Sequence, residues 1–397
     1  MIRHMFKLIW NRKRRNMLLM IEILVSFLVL FGITATMAGW GMQWLDPIGF
    51  NPDDLWVMQV EWEDKVVGQT REQVREMLRR IESEMLAYEE IENIAWCYNN
   101  TPYGDAVWRS DVEIDGREIA FDVMPCTDEY VNVLGINLVE GTWFGPEHDA
   151  LLAKPVVVDL SLAKNVFGDS SAIGQTIADT HKEYFIVGVI DCYRYRGEFI
   201  DQYPQMFQRL SLTSDANVPP NRAVVRVRPG TGVAFENNLA KYVNGMVPSW
   251  SIRIDNIAEL RSEYIKDKYL GLLIPAVIGF FLIINVALGL FGVLWYSINR
   301  RRSEIGLRRA LGASAILVNR QILGEALVLA TFALIVGVVL AIQVPVLGLM
   351  GPEISPGAYL LAILTSAVVI YLLVGLCAWY PARLAGHIHP AQALHDE

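Results

Sequence analysis

RRRSEIGLRRALGAS, residues 300–314, is a short basic segment between two long apolar stretches of this 397-residue chain. Glu304 and Arg308 are four residues apart, the spacing at which opposite charges pair on one face of a helix. Ser303 can cap the start of that helix, and Gly312 can adopt the left-handed conformation that ends it. The segment therefore predicts a short amphipathic helix between two membrane spans.

An apolar face accompanies these charges, because Leu307, Ala310 and Leu311 recur at helical spacing. Ser314 can cap the helix that follows. Two interpretations are open. The segment can be a positively charged anchor that only fixes the membrane topology. It can also be a docking helix for a cytoplasmic partner.

Four apolar stretches are long enough to cross the roughly 30 Å of hydrocarbon in a bilayer. The first, Met17 to Ala38, has 22 residues and no A-x-A site after it, which favours a retained span over a cleavable signal peptide. The sequence predicts a cytoplasmic amphipathic helix at 1–16, spans at 17–38, 269–298, 323–349 and 358–379, an outer domain with a stalk at 39–268, a cytoplasmic loop at 299–322, an outer turn at 350–357 and a cytoplasmic tail at 380–397.

The basic residues predict the orientation of these spans. Arg3 to Arg15 and Arg300 to Arg309 are rich in Lys and Arg, whereas the turn at 350–357 has one Glu and no basic residue. Lys and Arg concentrate in cytoplasmic loops. Both termini are therefore expected in the cytoplasm, and the large domain outside it.

That large domain is acidic. Asp46 to Lys268 contains 21 Lys and Arg against 37 Asp and Glu, a net charge of −16, in a chain that is 53% hydrophobic. An acidic insert in a basic, apolar frame argues against binding of nucleic acid. It fits a membrane protein with one large domain outside the cytoplasm.

Short strands alternate with helices through this domain, which predicts an α+β fold with mixed sheets. Thr70 to Ile91 has the apolar spacing of an amphipathic helix, and Asp115-Gly116 is typical of a hairpin turn. Asn256 and Glu259 fit a capping box. A helix running from Asn256 to Ile298 would be roughly 64 Å long, about twice the hydrocarbon thickness, so part of it is expected to project as a stalk.

Several residues inside the predicted spans are unusual for a lipid environment. Glu22 can reach back to the inner surface or face another helix, and helix packing is the preferred interpretation because charged groups rarely face lipid. Asn285, Gly289 and Gly292 suit close helix–helix contact. A single Asn is too little to indicate a pore.

No catalytic constellation is found in the sequence. It has no G-x-x-x-x-G-K-[ST] phosphate loop, no HExxH and no paired-cysteine zinc spacing. Cys97, Cys126 and Cys192 fall in the acidic insert, where one disulfide among them and free buried thiols are both open. The three histidines of the tail, His387, His389 and His395, favour a solvated tail over a metal site.

Three groups of motifs resemble the MacB/FtsX superfamily of ABC transporter permeases, the type VII or mechanotransmission class. The first is RRSEIGLRRALGAS with QILGEALVLATFALIVG at 301–314 and 321–337, and the second is PARLAGHIHPAQAL at 381–394. The third group resembles the MacB periplasmic core: VNVLGINLVEGTWF at 131–144, VVVDLSLAKNVFGDSSAIGQTI at 156–177 and YFIVGVIDC at 184–192.

The resemblance implies a four-span α-helical membrane protein with a MacB-type α+β periplasmic domain inserted between the first and second spans. It implies a bacterial inner-membrane location and no cofactor on this chain, with ATP and Mg²⁺ held by a separate cytoplasmic ATPase. The docking residues would be Glu304, Leu307, Arg308, Arg309, Ala310, Leu311, Gly312 and Ser314, with Pro381 and Pro390 below them. Leu307, Ala310 and Leu311 would fill the ATPase groove, and Arg308 and Arg309 would pair with its acids.

The expected partners include a second permease copy, identical or paralogous, and membrane lipid. The first choice of function is export of peptides or small amphiphiles from the periplasm, with a periplasmic adaptor and a TolC-like outer-membrane duct. Lipoprotein release of the LolC/LolE type and FtsX-like activation of a cell-wall hydrolase are the alternatives. In each case the chain itself is not an enzyme.

Overall fold

The computed structural model describes residues 13–61, 70–104, 108–114, 116–178, 183–212, 218–311, 313–347 and 355–386. Most of the predicted amphipathic helix at 1–16 therefore lies outside the described residues. The chain divides into two compact units, one formed by residues up to Met42 and from Lys268 onward, the other by Gln43–Asp267.

The helices are α1 (Lys13–Leu45), α2 (Arg71–Met85), α3 (Tyr130–Leu134), α4 (Leu160–Phe167), α5 (Val233–Met246), α6 (Ile257–Arg300), α7 (Arg302–Ala310), α8 (Ala315–Val346) and α9 (Pro356–Gly386). The strands are β1 (Leu55–Glu61), β2 (Ile91–Cys97), β3 (Trp108–Ile114), β4 (Arg117–Cys126), β5 (Leu138–Gly141), β6 (Lys154–Asp159), β7 (Thr176–Ala178), β8 (Glu183–Ile190), β9 (Gln205–Arg209), β10 (Arg222–Val227) and β11 (Ser251–Asn256).

Within the described part of the chain, four helices, α1, α6, α8 and α9, are long and apolar enough to cross a membrane, by length and composition. Their shared core is rich in alanine, and Ala330, Ala341 and Ala362 are fully buried. Small side chains let helix backbones approach closely, which is how helices associate in lipid. Hydroxyl pairs add hydrogen bonds between helices, at 2.8 Å for Thr34–Ser366 and 2.9 Å for Thr331–Tyr371.

The described residues of the second unit form one mixed sheet of eleven strands. Its order is β11-β1-β10-β2-β4-β9-β6-β8-β5, with β3 paired to β4 and β7 paired to β8. The β4–β9 and β6–β8 pairs are parallel, and the other neighbours are antiparallel. The predicted α+β class with a mixed sheet is confirmed.

Separate apolar cores lie along this sheet. Helices α2 and α5 bury Leu78 and Val243 against Trp56 at the β1–β10 end. Helix α4 buries Leu162 against β6 and β8 at the other end. A third core, around Tyr130, Tyr193 and Phe207, contains the fully buried cysteines Cys97 and Cys126.

Local signals in the sequence predicted several of these elements. Thr70 caps α2, with the Gln73 amide donating to the Thr70 hydroxyl at 3.3 Å and the Gln73 side chain accepting from the Thr70 amide at 2.8 Å. The helix ends at Met85 and not at Ile91, because Ile91 begins strand β2. β3 and β4 form the predicted hairpin, with Gly116 at φ 74°; Asp115 lies outside the described residues.

The start of α6 differs in detail from the predicted capping box. Asn256 is the last residue of strand β11, and its side chain accepts a hydrogen bond from the Ala258 amide at 2.9 Å, one residue before the expected Glu259. The helix then runs without a break for 44 residues, with Pro275 inside it.

Candidate functional site

Helix α7 lies in the predicted cytoplasmic loop. It begins at Arg302, so Ser303 lies within its first turn and is not the capping residue that the sequence predicted. The i,i+4 pair is present, with Arg308 Nη2 donating to Glu304 Oε1 at 2.6 Å. Ser314 caps α8 as expected, since its hydroxyl accepts from the Leu317 amide at 3.3 Å.

One side of α7 is buried against its neighbours. Ile305 is only 8% exposed and lies in a small apolar cluster with Ile298 of α6 and Val318 and Ile322 of α8. Burial of this side chain fixes which face of α7 points inward.

Polar contacts tie both ends of α7 to one turn of α8. Arg301, just before the helix, donates from Nη1 to both carboxylate oxygens of Glu325 at 3.4 and 3.2 Å. Arg308, near the helix end, donates to Gln321 Oε1 at 3.0 Å. Gln321 in turn donates to Glu325 at 3.3 Å. The orientation of α7 therefore depends on contacts between helices as well as on its own sequence.

The opposite side of α7 exposes apolar side chains. Leu307 is 50% exposed and Leu311 is 81% exposed, and Ala310 is also exposed. At the start of α8, Ile316 and Leu317 are each 65% exposed. We call these five residues the α7 surface. Ile316 and Leu317 lie within the predicted cytoplasmic loop at 299–322, but they were not among the predicted docking residues, because the resemblance ended the docking segment at Ser314.

Other predicted docking residues have different surroundings. Arg308 has Glu304 and Gln321 as partners within the chain, and Pro381 is buried inside α9. Gly312, Pro390 and the side chain of Arg309 lie outside the described residues.

The residues predicted to pack between the spans have different surroundings. The Glu22 carboxylate of α1 lies against Gly289 of α6, where an added Cβ would be 2.6 Å from Glu22 Oε2. Asn285 donates to the carbonyl of Phe281 in its own helix at 2.9 Å. An added Cβ at Gly292 would meet no described atom within 4 Å.

A second polar cluster, which the sequence did not predict, contacts the N-terminal end of α6 in the outer unit. Arg261 donates to the buried Glu198 carboxylate at 2.6 Å, and the Tyr103 hydroxyl donates to the same oxygen at 3.1 Å. Four residues before Glu198, Arg194 donates to the backbone carbonyl of Gln43 in α1 at 2.8 Å. One loop therefore contacts the ends of both helices that enter this unit. No local sequence signal indicates these pairings.

The structure places no metal-binding group of His, Cys, Asp or Glu within the residues that it describes. His387, His389 and His395 lie outside them. No disulfide joins the four cysteines in this structure, and Cys97, Cys126 and Cys192 are buried.

Two family models match the chain. The MacB-like periplasmic core domain matches residues 23–241, and the FtsX-like permease C-terminal domain matches residues 276–390. The second match includes α7, α8 and α9. The crystallised periplasmic region of MacB from Actinobacillus actinomycetemcomitans aligns with a TM-score of 0.39 and 13% identity, over 55% of this chain and 96% of that one.

Three curated relatives are each named as an ATP-binding/permease protein for export. The macrolide export ATP-binding/permease protein MacB of Agrobacterium fabrum is 25% identical over 97% of this chain and 59% of its own length. MacB of Escherichia coli K12 is 26% identical over 70% of this chain and 44% of its own length. The pyoverdine export ATP-binding/permease protein PvdT of Pseudomonas savastanoi is 24% identical over 66% of this chain and 40% of its own length.

The chain thus spans between 40% and 59% of the length of these three relatives. The periplasmic core model alone matches more than half of the chain, and the FtsX-like model matches the helices that follow it. This chain belongs to the MacB/FtsX-like family of ABC transporter permeases.

Proposed function

We propose that this chain is the permease subunit of an ABC exporter that transmits ATP-driven motion from a cytoplasmic ATPase to its outer domain. The observation that carries this proposal is the α7 surface: five exposed apolar residues on a loop whose helix is tied down at both ends. Exposed apolar groups of this kind mark protein–protein contacts. A rigid support lets a contact transmit force instead of bending.

The contacts of Arg308 indicate which side chains the groove of the ATPase should contain. Because Arg308 is already paired with Glu304 and Gln321, the groove is expected to be apolar, filled by Leu307, Ala310 and Leu311 with Ile316 and Leu317 at its edge. Burial of these apolar side chains in the groove would contribute about 25 cal/mol per Å² of apolar surface removed from water. Acidic residues would pair with Arg309 at the rim.

The proposed setting follows from the charge pattern and the relatives. Both basic segments would lie in the cytoplasm of a bacterium, with the spans in the inner membrane and the acidic sheet domain in the periplasm. The names of the relatives join an ATP-binding and a permease function. We place ATP and Mg²⁺ on the ATPase partner and no cofactor on this chain.

The proposed assembly contains two permease copies, two ATPase subunits, a periplasmic adaptor and a TolC-like outer-membrane channel. The relatives are named for export of macrolides and of pyoverdine, two different compounds handled by one architecture. We propose peptides or small amphiphiles as the exported class here. Motion of the outer domains would drive them from the periplasm without passage through the membrane spans.

The test is co-purification of an ATP-hydrolysing protein with the tagged full chain in mild detergent. The variant Leu307→Glu with Leu311→Glu should reduce the retained ATPase activity at least 10-fold. The matched control is Leu151→Glu with Leu152→Glu, two exposed leucines of the outer domain at 40% and 108% exposure, which should retain the wild-type amount. Equal retention by the α7 variant, or no retained ATPase on the wild-type chain, would refute the proposal.

A further inference from the structure

The long sheet of the outer unit has one weak junction. Strands β2 and β4 are paired through the single position Cys97–Cys126, whereas the other neighbouring strands along the sheet pair over three or more positions. This junction joins the half formed by β11, β1, β10 and β2 to the half formed by β4, β9, β6, β8 and β5. The two cysteines therefore lie where the sheet has the least backbone support.

The hydrogen bonds around this pair define its type. The Thr127 amide donates to the Trp96 carbonyl at 2.9 Å, one position beyond the cysteines. The Cys126 carbonyl accepts instead from Leu210, at 2.8 Å on the other side of β4. Ladder bonds alternate along antiparallel strands, so Cys97 and Cys126 form a non-hydrogen-bonded pair. In such pairs the Cα atoms are about 4.5 Å apart and the side chains are close.

That separation falls within the range of about 4.4–6.8 Å that a disulfide bridges. Both side chains also lie on one face of the sheet, because both belong to the core around Tyr130 and Phe207 and both are 0% exposed. Position, face and strand direction therefore all allow a bond without movement of the backbone.

We propose that Cys97 and Cys126 are a disulfide site, oxidised outside the cytoplasm, that covalently joins the two halves of the sheet. The oxidant would be a disulfide, either that of a thiol–disulfide oxidoreductase or a small-molecule disulfide. One cysteine thiolate attacks it to form a mixed disulfide, and the second thiolate displaces the carrier. The two cysteines lose two protons and two electrons, and the oxidant takes up both as two thiols.

Burial determines when this exchange takes place. It raises the pKa of the Cys97 and Cys126 thiols well above their ordinary value, and the thiolate is the reactive form. The bond therefore forms while the strands are still exposed during folding, and the completed sheet protects it. The inference uses the outer location of the sheet and does not use the ATPase contact.

The remaining cysteines of the chain, Cys192 and Cys377, provide an internal control. Cells are quenched in acid, and the full chain is unfolded and alkylated with N-ethylmaleimide without reduction. Intact mass should show two labels, and peptide mapping should place them on Cys192 and Cys377. After reduction, all four cysteines should be labelled. Four labels without reduction, or a bridge that uses Cys192, would overturn the proposal.

A second measurement tests the structural effect. Full chain from cells grown with a membrane-permeant reductant, which prevents the bond from forming during folding, should have a thermal midpoint of the outer unit about 5–10 °C lower, the range expected for loss of a structural disulfide in a domain of this size. The variant Cys97→Ser with Cys126→Ser has no bond to lose, so reductant should leave its midpoint unchanged. An unchanged midpoint in the wild-type chain would count against a stabilising bond at this junction.

Discussion

Gly49 occupies a position that only glycine can fill. Its φ of +80° lies in the left-handed region, and an added Cβ would be 1.9 Å from the backbone carbonyl oxygen of Cys192. Side chains rarely adopt this conformation, and a backbone atom cannot move aside as a flexible side chain can. The contact therefore combines backbone strain with a steric clash.

We predict that Gly49→Ala lowers the free energy of unfolding of the outer unit by at least about 3 kcal/mol. Gly230→Ala is the matched control, because Gly230 has a similar φ of +89° but no described atom within 4 Å of its added Cβ. It should cost only about 1–2 kcal/mol. Urea unfolding of the full chain in detergent, followed by tryptophan fluorescence, measures both; equal losses would show that the clash is relieved.

Asp159 makes the free energy of unfolding of the same unit depend on pH. It is fully buried at the start of α4, where its carboxylate accepts from the amides of Leu162 at 2.9 Å and Gln205 at 3.0 Å and from the Gln202 side chain at 2.6 Å. Burial raises its pKa from 3.8 to about 6, and these hydrogen bonds only partly oppose that rise. The folded state therefore binds the proton more tightly than the unfolded state.

The sign of the effect follows from this difference. The stabilisation that protonated Asp159 gives the folded state is fully present below its unfolded pKa of 3.8. It is lost as the pH rises from there through about 6, because the Asp159 carboxyl ionises at lower pH in the unfolded chain than in the folded one. We predict that the unfolding free energy of wild type, relative to Asp159→Asn, falls by on the order of 2–3 kcal/mol between pH 4 and pH 7. The same urea series at several pH values measures this. A difference that stays constant or rises would mean that the three hydrogen bonds outweigh burial.

At the scale of elements, most local signals in the sequence were informative, although Ser303 does not cap α7. The Glu304–Arg308 pair, the Ser314 cap and the four apolar helices all depend on residues within a few turns of one another. The contacts that orient α7 are not local, because Arg301 meets Glu325 across a turn and two helices. No spacing rule identifies that partner among the acidic residues of the chain.

The sheet illustrates the same limit. Strands β5 and β9 have four and five residues and lack a clear alternation of apolar and polar residues, so no local pattern marks them. The pairing of Cys97 with Cys126 requires β2 to lie beside β4, with β3 on the outside of the path. Strand order depends on packing of the whole unit. The sequence therefore allowed a disulfide among three cysteines but did not indicate which two would pair. For Asn256, the cap bond shifted by one residue because β11 continues up to the helix.

Glu325 allows a test of the support beneath α7. The Arg301–Glu325 pair is mostly shielded, with side chains 19% and 21% exposed, so removal of one charge leaves the other poorly compensated. We predict that Glu325→Gln lowers retention of the ATPase about 3–10-fold, although the five residues of the α7 surface are intact. The co-purification assay with the full chain measures this.

Glu304→Gln is the control for that variant. Its pair with Arg308 is half exposed, at 49% and 52%, and exposed i,i+4 pairs contribute only about 0.3–0.5 kcal/mol. Retention should therefore change less than about 2-fold. Equal effects of the two variants would indicate that charge alone, and not the support of α7, determines binding.

At the scale of the whole molecule, helix α6, like α1, contains residues of both units. Its 44 residues give a length of about 66 Å, roughly twice the hydrocarbon core. In the proposed function this helix carries motion from the ATPase contact to the outer domain. Its first turn is held there by Arg261 and Glu198, which gives the transmitted motion a fixed point of attachment.

A break in α6 should therefore separate ATP hydrolysis from its effect. Lys266 and Asp267 are exposed positions of the helix, and Lys266→Gly with Asp267→Pro removes a backbone donor and crowds the preceding turn, at a cost of about 3 kcal/mol or more. The variant should retain the ATPase at the wild-type level. Its outer domain, however, should no longer change its pattern of protease cleavage between nucleotide-free and vanadate-trapped states. Lys266→Ala with Asp267→Ala keeps the helix and should respond as wild type does. If the Gly-Pro variant responds like the wild-type chain while its ATPase remains bound, α6 does not transmit the motion as a rigid helix.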